Sequence, residues 1–346
     1  MKKVALLLAL ASLSSTAYAV EGGQDVNWQD YPYLVEAHGC TGTVLGGNKV
    51  LLAGHCFWGA TPQQTLSLAN GEVMNGVSMK TLYDETTPNN DVVDVAIWTI
   101  EKTIPTSKIV FVADLNAPET KVELGDEISF IGFGRDNHRP KLGKAVNTIM
   151  RISSPDLSGN ARLDYSGTAH SVAGDSGAPV FNKNNRIIGV NTSDNGVTDD
   201  GTPISGGERL RKAKDWLLSN INAWHSPTEL TFTGDNTIEI QSLHVNPTNL
   251  SERQNNGTLT TGDVSITGGT CLTDTIEPFG ICTLEIRSGQ YEGKVMLDDG
   301  NEITINRGKK PTPPPPKPTP KDSGSGGGSI GWLGLLGLLA FAFKRK

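Results

Sequence analysis

Short β-strand patterns separated by turn-forming residues run through residues 20–225 and leave little room for helices. Clusters of glycine, asparagine, aspartate and proline lie between the patterns, which cover residues 44–52, 92–100, 127–133, 179–181 and 186–191. Short strands at regular intervals with turns between them are typical of a barrel or a sandwich. One helical pattern, at 208–224, has apolar residues every three or four positions. This region is therefore predicted to be all-β and closed by a helix.

Residues 226–308 form a second predicted domain with its own strand patterns. Apolar and polar residues alternate at 230–233, 237–240, 282–286 and 303–305. This alternation predicts a small antiparallel β-sandwich. The stretch 269–286 resembles the Ig-like accessory domains of bacterial surface proteins. No histidine, acid and nucleophile set occurs here, so we expect a spacer or binding role.

The N-terminus has the three parts of an export signal. Lys2 and Lys3 precede an apolar run at 4–10, and Ala17-Tyr18-Ala19 is a small-x-small cleavage site. We therefore predict a signal peptide at 1–19, removed by signal peptidase. An uncleaved membrane anchor is the alternative, but the apolar run is far shorter than a bilayer crossing requires.

Four cysteines, Cys40, Cys56, Cys271 and Cys282, are expected to pair after export to an oxidising compartment. Four cysteines allow three connectivities. Pairing of nearest neighbours keeps each bridge inside one predicted domain. A metal site is the alternative, but the chain has no C-x-x-C spacing.

Charge and spacing argue against two other classes of ligand. The net charge of -7 gives no electrostatic reason to bind nucleic acid. Acidic and amide residues at 194, 195, 199 and 200 could suggest calcium, but their spacing does not match an EF-hand loop. Solvated turn residues are the preferred interpretation. We predict no metal and no cofactor.

The amino-acid composition changes twice along the C-terminal residues 309–346. Residues 309–321 are proline-rich with lysines and predict a semi-rigid spacer, and residues 322–329 are rich in glycine and serine, so that 309–329 forms a linker. Residues 330–343 are apolar and uncharged, and Lys344-Arg345-Lys346 follows. Fourteen apolar residues are marginal for a bilayer core of ~30 Å. The basic end favours a cytoplasmic C-terminus, with the folded domains across the membrane.

This tail, 330–346 with the glycine-rich stretch 324–329 before it, resembles the GlyGly-CTERM sorting signal of Gram-negative bacteria. The resemblance implies cleavage near the glycines by a rhomboid-type membrane protease. It also implies delivery to the cell surface or the medium, commonly through type II secretion. The alternative is a protein of the cell envelope that keeps its tail as a membrane anchor.

Three separated segments carry the chemical signal. They are Leu51-Leu52-Ala53-Gly54-His55-Cys56, Asp94-Val95-Ala96-Ile97 and Gly174-Asp175-Ser176-Gly177-Ala178-Pro179-Val180. A serine hydroxyl needs a neighbouring base to become a nucleophile, and imidazole titrates near neutrality. A carboxylate orients such an imidazole and stabilises its charged form. His55, Asp94 and Ser176 are therefore the predicted catalytic residues.

The segments and their order resemble the trypsin-like (chymotrypsin-fold) serine proteases over residues 20–225. This resemblance implies a double six-stranded-type β-barrel, serine endopeptidase activity on protein or peptide substrates, and an oxyanion hole formed by the backbone amides of Gly174 and Ser176. Departures are Gly54, where the family has alanine, and Ala178, where it has glycine. Ala178 also excludes the G-x-S-x-G elbow of α/β-hydrolases.

Asp91 is the alternative to Asp94 as the third catalytic residue. Asp94 is preferred because Ala96 and Ile97 continue the strand found in the family. A second alternative concerns the whole chain, which could be a catalytically silent protease homologue that acts as a surface binding module. Retention of all three predicted catalytic residues favours the enzyme.

The segment 20–23, Val-Glu-Gly-Gly, resembles the N-terminus that family members acquire on activation. The resemblance implies that the α-amino group of Val20 pairs with Asp175 inside the protein. Because 20–23 directly follows the predicted cleavage site, signal peptidase itself would generate the active N-terminus. Cleavage after Ala17 is the alternative and would require trimming. Glu21 is unusual where the family has valine.

The specificity pocket is also assigned through the resemblance. His170 occupies the family position at the pocket base, where aspartate selects arginine and lysine. The walls would include Ser193 together with Ser171, Asn191, Thr192 and Asp194. A pair between His170 and Asp194 would leave little positive charge for an acidic substrate. We expect a polar pocket without trypsin-like specificity.

Overall fold

The computed structural model describes residues 20–57, 61, 63–83, 93–117, 122–134, 141–153 and 162–311. The predicted signal peptide at 1–19 and nearly all of the tail beyond 311 lie outside these residues. None of the helices in the described ranges combines the length and apolar character that a bilayer crossing requires. The described chain up to Lys310 belongs to one compact unit.

A first closed barrel contains six strands. These are β2 (Leu34–Ala37), β3 (Cys40–Leu45), β4 (Lys49–Leu52), β5 (Thr65–Ser67), β6 (Val73–Thr81) and β7 (Ala96–Ile100), in the order β2-β3-β4-β7-β6-β5. All neighbours are antiparallel, and the β2–β5 pairing closes the ring. Its core contains Phe57 and the fully buried Trp98, whose rings meet edge to face. The barrel therefore has a filled interior.

The pattern at 44–52 was predicted as one strand, and the structure corrects this. Gly46 and Gly47 both have positive φ values, 54° and 84°, and they turn the chain between β3 and β4. A left-handed backbone favours glycine because it has no Cβ. The segment is therefore a hairpin.

A second barrel follows from β8 (Glu127–Gly132), β9 (Leu142–Ile152), β10 (Arg162–Ser166), β11 (Pro179–Asn182), β12 (Ile187–Val197) and β13 (Pro203–Arg209). The order is β9-β10-β13-β12-β11-β8, and pairing of β8 with β9 closes it. The short strand β1 (Gln24–Val26) adds to β9. Two closed six-stranded barrels confirm the predicted protease architecture.

Helix α1 (Leu210–Ile221) confirms the closing helix but is shorter than the predicted 208–224. Glu208 and Arg209 pair with β12 and remain in the sheet. At the other end Asn222 has a left-handed backbone and its amide donates to Leu218, which ends the helix. The buried face of α1, which includes Leu210 and Leu217, packs into the core of the second barrel.

The C-terminal sheet contains six strands: β14 (Trp224–His225), β15 (Glu229–Leu230), β16 (Gly234–Ser242), β17 (Thr260–Gly268), β18 (Ile281–Asp298) and β19 (Asn301–Ile305). Two short helices, α2 (Ser251–Asn255) and α3 (Thr270–Thr273), lie in the same region of the chain. Its order is β14-β16-β18-β19-β15, and β17 pairs with β18. All pairs are antiparallel except β15 with β19, a departure from the all-antiparallel prediction. A separate cluster of buried apolar residues forms the core of this C-terminal region. The Ig-like identity of the sheet stays a prediction.

Buried polar contacts tie this sheet to the segment between the two barrels. The Gln241 side chain accepts from the Val112 amide at 3.0 Å and donates to the Val112 carbonyl at 2.7 Å and the Phe279 carbonyl at 2.9 Å. The His225 ring accepts from the Gly46 amide and donates to the Val110 carbonyl. Burial lowers the pKa of His225 to about 4, so the ring is neutral at pH 7.

Replacing Gln241 by alanine is expected to lower the free energy of unfolding by about 2–4 kcal/mol, because buried backbone groups of Val112 would lose their partners. Urea unfolding measures this effect. Gln254→Ala, at an exposed position of α2, is the matched control and should change stability by less than about 0.5 kcal/mol. Equal effects of the two substitutions would show that Gln241 does not stabilise the fold.

Candidate active site

The three predicted catalytic side chains come from both barrels. His55 lies in the short 3-10 helix Gly54–Phe57, which follows β4. Asp94 lies two residues before β7, the neighbour of β4 in the first barrel. Ser176 lies in the turn before β11 of the second barrel. The three side chains therefore meet where the barrels face each other.

Distances between the three side chains are those of hydrogen bonds. His55 Nδ1 lies 2.6 Å from Asp94 Oδ2, and the His55 backbone amide donates to Asp94 Oδ1 at 2.9 Å. His55 Nε2 lies 2.9 Å from Ser176 Oγ. A carboxylate can only accept from Nδ1–H, which leaves the Nε2 lone pair free to accept the Ser176 proton. Asp91, the alternative carboxylate, lies outside the described residues.

A disulfide bond joins Cys40 of β3 to Cys56, the residue after His55. It connects the histidine turn covalently to the barrel wall. The second bridge, Cys271–Cys282, joins α3 to β18 in the C-terminal sheet. Both nearest-neighbour pairings are therefore confirmed.

Gly174 has a backbone that other residues rarely adopt. Its φ is 101°, and a Cβ at this position would lie 1.8 Å from the Gly134 carbonyl oxygen. Neither the Gly174 amide nor the Ser176 amide donates a hydrogen bond within the described part of the chain. Two backbone donors beside the Ser176 hydroxyl are therefore available to an anionic oxygen.

Thr41 supports this turn from the first barrel, and the sequence analysis missed it. Its hydroxyl donates to the Gly174 carbonyl at 2.9 Å and accepts from the Phe133 amide at 3.1 Å. Its amide donates to the Ser176 carbonyl at 2.8 Å. A buried threonine in a strand gives no sequence signal for such a role.

Asp175 is fully buried beside Ser176. Its carboxylate accepts from the Gly134 and Val172 amides at 2.8 and 2.9 Å. Burial raises the pKa of Asp175 to about 7, although these two amides act in the opposite direction. The two hydrogen bonds do not fully replace the solvation that the charge loses.

Val20 is fully buried near this carboxylate. A Cβ on Gly132 would lie 2.2 Å from Asp175 Oδ1, and a Cβ on Gly143 would lie 2.6 Å from the Val20 nitrogen. Gly132 and Gly143 are direct partners in the β8–β9 ladder. Paired residues of an antiparallel ladder share one face, so the Val20 nitrogen and the Asp175 carboxylate lie over neighbouring glycines.

The His170 ring points toward Glu21, whose carboxylate lies 3.7 Å from Nε2. The Glu21 carbonyl also accepts from the His170 amide. Asp194 instead accepts from the amide of Gly196 in its own turn. The anticipated His170–Asp194 pair is therefore not formed, because segment 20–23 lies against His170.

The other predicted pocket residues form polar contacts. The Ser171 hydroxyl donates to the Ser193 carbonyl at 2.9 Å, and the Thr192 hydroxyl reaches the Gly206 carbonyl at 3.4 Å. Asn191 accepts from the Tyr165 hydroxyl at 2.6 Å and donates to the Asp175 carbonyl at 3.1 Å. Asn191 is therefore a buried residue that connects Tyr165 to Asp175, and it does not form an exposed wall of the pocket. Nothing in the sequence analysis indicated Tyr165.

Sequence comparisons with known proteins match this chain to one family. The family described as Trypsin matches residues 20–217 of the 346. A trypsin of Saccharopolyspora erythraea is 28% identical over 232 residues, which cover 59% of this chain and 99% of that protein.

Two solved structures are similar at lower identity. The Vibrio cholerae VesB protease covers 82% of this chain and 98% of its own, with a TM-score of 0.45 and 17% identity. A mutant of human heparin binding protein covers 58% and 96%, with a TM-score of 0.47 and 18% identity. Because the sequence match spans more than half of its length, this chain belongs to the trypsin family of serine proteases.

Proposed function

We propose that the chain is a secreted or surface-attached serine endopeptidase that hydrolyses peptide bonds through an acyl-enzyme on Ser176. The observation that carries the proposal is the continuous hydrogen-bonded series from Asp94 through His55 to Ser176 Oγ. A Ser176 hydroxyl in such a series has a base that can accept its proton. No described contact favours the alternative of a silent binding module.

In the proposed mechanism Ser176 Oγ attacks the peptide carbonyl carbon while His55 Nε2 takes its proton. The carbonyl oxygen becomes an anion and accepts from the amides of Gly174 and Ser176. His55 then gives the proton to the leaving amine, and the C–N bond breaks to leave an ester on Ser176. A water molecule, deprotonated by His55, hydrolyses the ester. Asp94 keeps the imidazole oriented throughout.

Gly174→Ala is expected to lower kcat by at least about 10²-fold, because the Cβ would meet the Gly134 carbonyl and displace the Gly174 amide. Steady-state hydrolysis of a peptide substrate measures this loss. Gly196→Ala, also at positive φ but with no atom within 4 Å of its Cβ, is the control and should retain near wild-type kcat. Equal activity of the two variants would contradict the oxyanion role.

Activation is proposed to follow directly from export. Removal of residues 1–19 by signal peptidase would free the Val20 amine beside the Asp175 carboxylate. A buried ammonium and a buried carboxylate stabilise each other, whereas each is costly alone. N-terminal sequencing of the secreted protein tests this step, and a start other than Val20 would refute it.

The specificity pocket is proposed to be polar and not trypsin-like. His170 stands where the family's arginine- and lysine-selecting members have aspartate, and the amide of the next residue, Ser171, donates to Ser205 Oγ. Cleavage of a peptide library is expected to show no clustering of sites after arginine and lysine. Such clustering would refute this part of the proposal.

For the whole chain we propose a protease domain at 20–225, an accessory domain at 226–308, a linker at 309–329 and a sorting tail at 330–346. The proposed tail would hold the protein in the inner membrane, transiently or stably, until a rhomboid-type protease and the type II secretion machinery act. The mass of the mature protein tests this: loss of the tail supports release, and its retention supports the anchored alternative.

A further inference from the structure

A cavity of about 490 Å³ lies on the outer face of the second barrel, beside the strand β12 that supplies the predicted pocket walls. Leu163 and Tyr165 of β10 belong to the barrel core, so the residues that alternate with them face outward, into the cavity. The proposed mechanism uses none of the lining residues. We call this the Arg162 cavity, and it is lined by Arg151, Ile152, Ser153, Arg162, Asp164 and Asn195.

Two arginines and one carboxylate line the Arg162 cavity. Arg151 pairs with Asp164, whose other oxygen accepts from Asn195 Nδ2 at 2.7 Å. Arg162 instead donates to two neutral acceptors, Ser193 Oγ at 2.5 Å and Asn195 Oδ1 at 3.3 Å. It forms no ion pair among the described residues. The lining therefore has one positive charge in excess, and a half-buried guanidinium is a strong partner for a carboxylate.

Two other carboxyl groups lie near Arg162 in the sheet, and neither lines the cavity. Glu208 is its cross-strand neighbour on β13, but the two side chains form no ion pair in the described part of the chain. Asp194 follows Ser193 on β12, and its carboxylate accepts from the amide of Gly196 at 3.0 Å. The charge of Arg162 is therefore available to an anionic group that enters the cavity.

The same part of β12 has an open edge that begins beside the proposed nucleophile. Strand β11 pairs with β12 only as far as Val190. The Gly177 amide then donates to the Asn191 carbonyl at 2.7 Å, and Gly177 directly follows Ser176. Beyond Asn191, β13 is the one strand neighbour of β12 among the described elements. An extended peptide can form backbone hydrogen bonds with such an edge.

The proposed mechanism determines which part of a substrate would follow this edge. His55 passes its proton to the leaving amine, so the residues after the scissile bond lie toward His55 and the first barrel. The residues before the scissile bond then extend over the second barrel, along β12 toward Ser193. The Arg162 guanidinium, which is bonded to Ser193, lies beside that path.

We propose that the Arg162 cavity recognises an acidic side chain, glutamate or aspartate, that precedes the scissile bond of the substrate by a few residues. The inference rests on the proposed function, because it assumes that a peptide binds at Ser176. The preference comes from the charge of Arg162 and is independent of the pocket around His170.

Peptide pairs that differ only in glutamate or glutamine test recognition of the charge. The exchange is made in turn at each of the second to fifth positions before a cleavage site found in the peptide library. At one of these positions we expect the glutamate peptide to have a kcat/KM about three- to tenfold higher at low ionic strength. The ratio should decrease as sodium chloride screens the charges.

Substitutions in the cavity should change this ratio in opposite directions. In Arg162→Gln we expect a ratio below about twofold, whereas Arg162→Lys keeps the charge and should retain a preference. Asp164→Asn should increase the ratio, because Arg151 loses its carboxylate partner. Arg287→Gln is the matched control: it makes the same change in net charge at an exposed arginine of β18 that pairs with Asp235, and it should leave the ratio unchanged.

Equal kcat/KM values for glutamate and glutamine at all four positions would overturn the proposal. A ratio that stays the same in Arg162→Gln would also overturn it. If Arg162 only supported the fold, its loss would lower hydrolysis of both peptides equally, and the ratio would again stay the same.

A binding measurement separates this inference from the proposed function. Fluorescence anisotropy of labelled random peptides, with either one glutamate or one glutamine in each, is recorded with the folded Ser176→Ala chain and with Ser176→Ala/Arg162→Gln. Tighter binding of the glutamate peptides that Arg162→Gln abolishes, in a protein whose unsubstituted form hydrolyses no peptide, would support the cavity and refute the proposed function. Hydrolysis without any preference for glutamate would overturn this inference alone.

Discussion

Ser176→Ala is expected to lower kcat by about 10⁵–10⁶-fold while the free energy of unfolding changes by less than about 1 kcal/mol. The expected loss is large because the substitution removes the atom that forms the acyl-enzyme in the proposed mechanism. Hydrolysis of a peptide substrate and urea unfolding measure the two quantities. Ser219→Ala, on the exposed face of α1, is the matched control and should keep wild-type kcat.

The same expectation extends to a double variant. In the proposed mechanism His55 takes the Ser176 proton, so His55→Ala in a protein that already carries Ser176→Ala should cost little more. Additive losses in the double variant would show that the two side chains do not act as one unit, despite their 2.9 Å separation.

Retention of even one residue before Val20 is expected to lower kcat/KM by at least about 10²-fold. An N-terminal extension converts the Val20 ammonium into a neutral amide. Asp175 then lacks a cationic partner, and the turn that presents the Gly174 amide loses its support. Chains that begin at Val20 and at Ala19 provide the comparison. Equal kcat/KM would contradict the activation step.

The free energy of unfolding should depend differently on pH in the processed form, which begins at Val20, and in the extended form, which begins at Ala19. In the extended form the pKa of Asp175 is raised from 3.8 to about 7, so the folded state keeps a proton that the unfolded state loses. The free energy of unfolding therefore falls as pH rises from about 4 to about 7 and levels off above. In the processed form the ammonium lowers the pKa of Asp175, and the fall should be smaller.

Urea unfolding of both forms between pH 4 and 8 measures this difference. Asp175→Asn should remove the part of the pH dependence that Asp175 causes in the extended form. Parallel curves for the unsubstituted forms would show that Val20 and Asp175 do not pair. Activity of the processed form should also decline above about pH 8, where an unperturbed α-amino group loses its proton.

Local sequence identified the residues that lie within short motifs. His55 and Cys56 are adjacent, and Gly174 lies two residues before Ser176, so a few positions contain most of the proposed site. The two disulfides could be predicted for a related reason, because each joins nearby segments of one predicted domain.

Contacts between barrels could not be predicted in this way. Thr41 reaches the Gly174 turn from 133 residues away in the chain, through a sheet position with no distinguishing pattern. The His170 ring points toward Glu21, which is distant in the chain and whose carboxylate lies 3.7 Å from Nε2. Long-range packing determines both contacts, and a single sequence contains no direct record of such packing.

The ends of some secondary-structure elements were predicted incorrectly because two sequence signals competed. Glu208 and Arg209 lie within an apolar repeat that predicts helix, yet their backbone groups pair with β12. The strand pairing is preferred because it completes a closed barrel, in which the backbone groups of each strand form hydrogen bonds with both neighbouring strands. Helix α1 therefore begins only at Leu210.

The central claim is that Ser176 is a nucleophile activated by His55, and covalent labelling tests it most directly. The full chain is treated with a fluorophosphonate, digested and mapped by mass spectrometry. The account predicts a single adduct on Ser176 and none in a folded His55→Ala variant. A folded wild-type chain without an adduct, or with one at another residue, would contradict it.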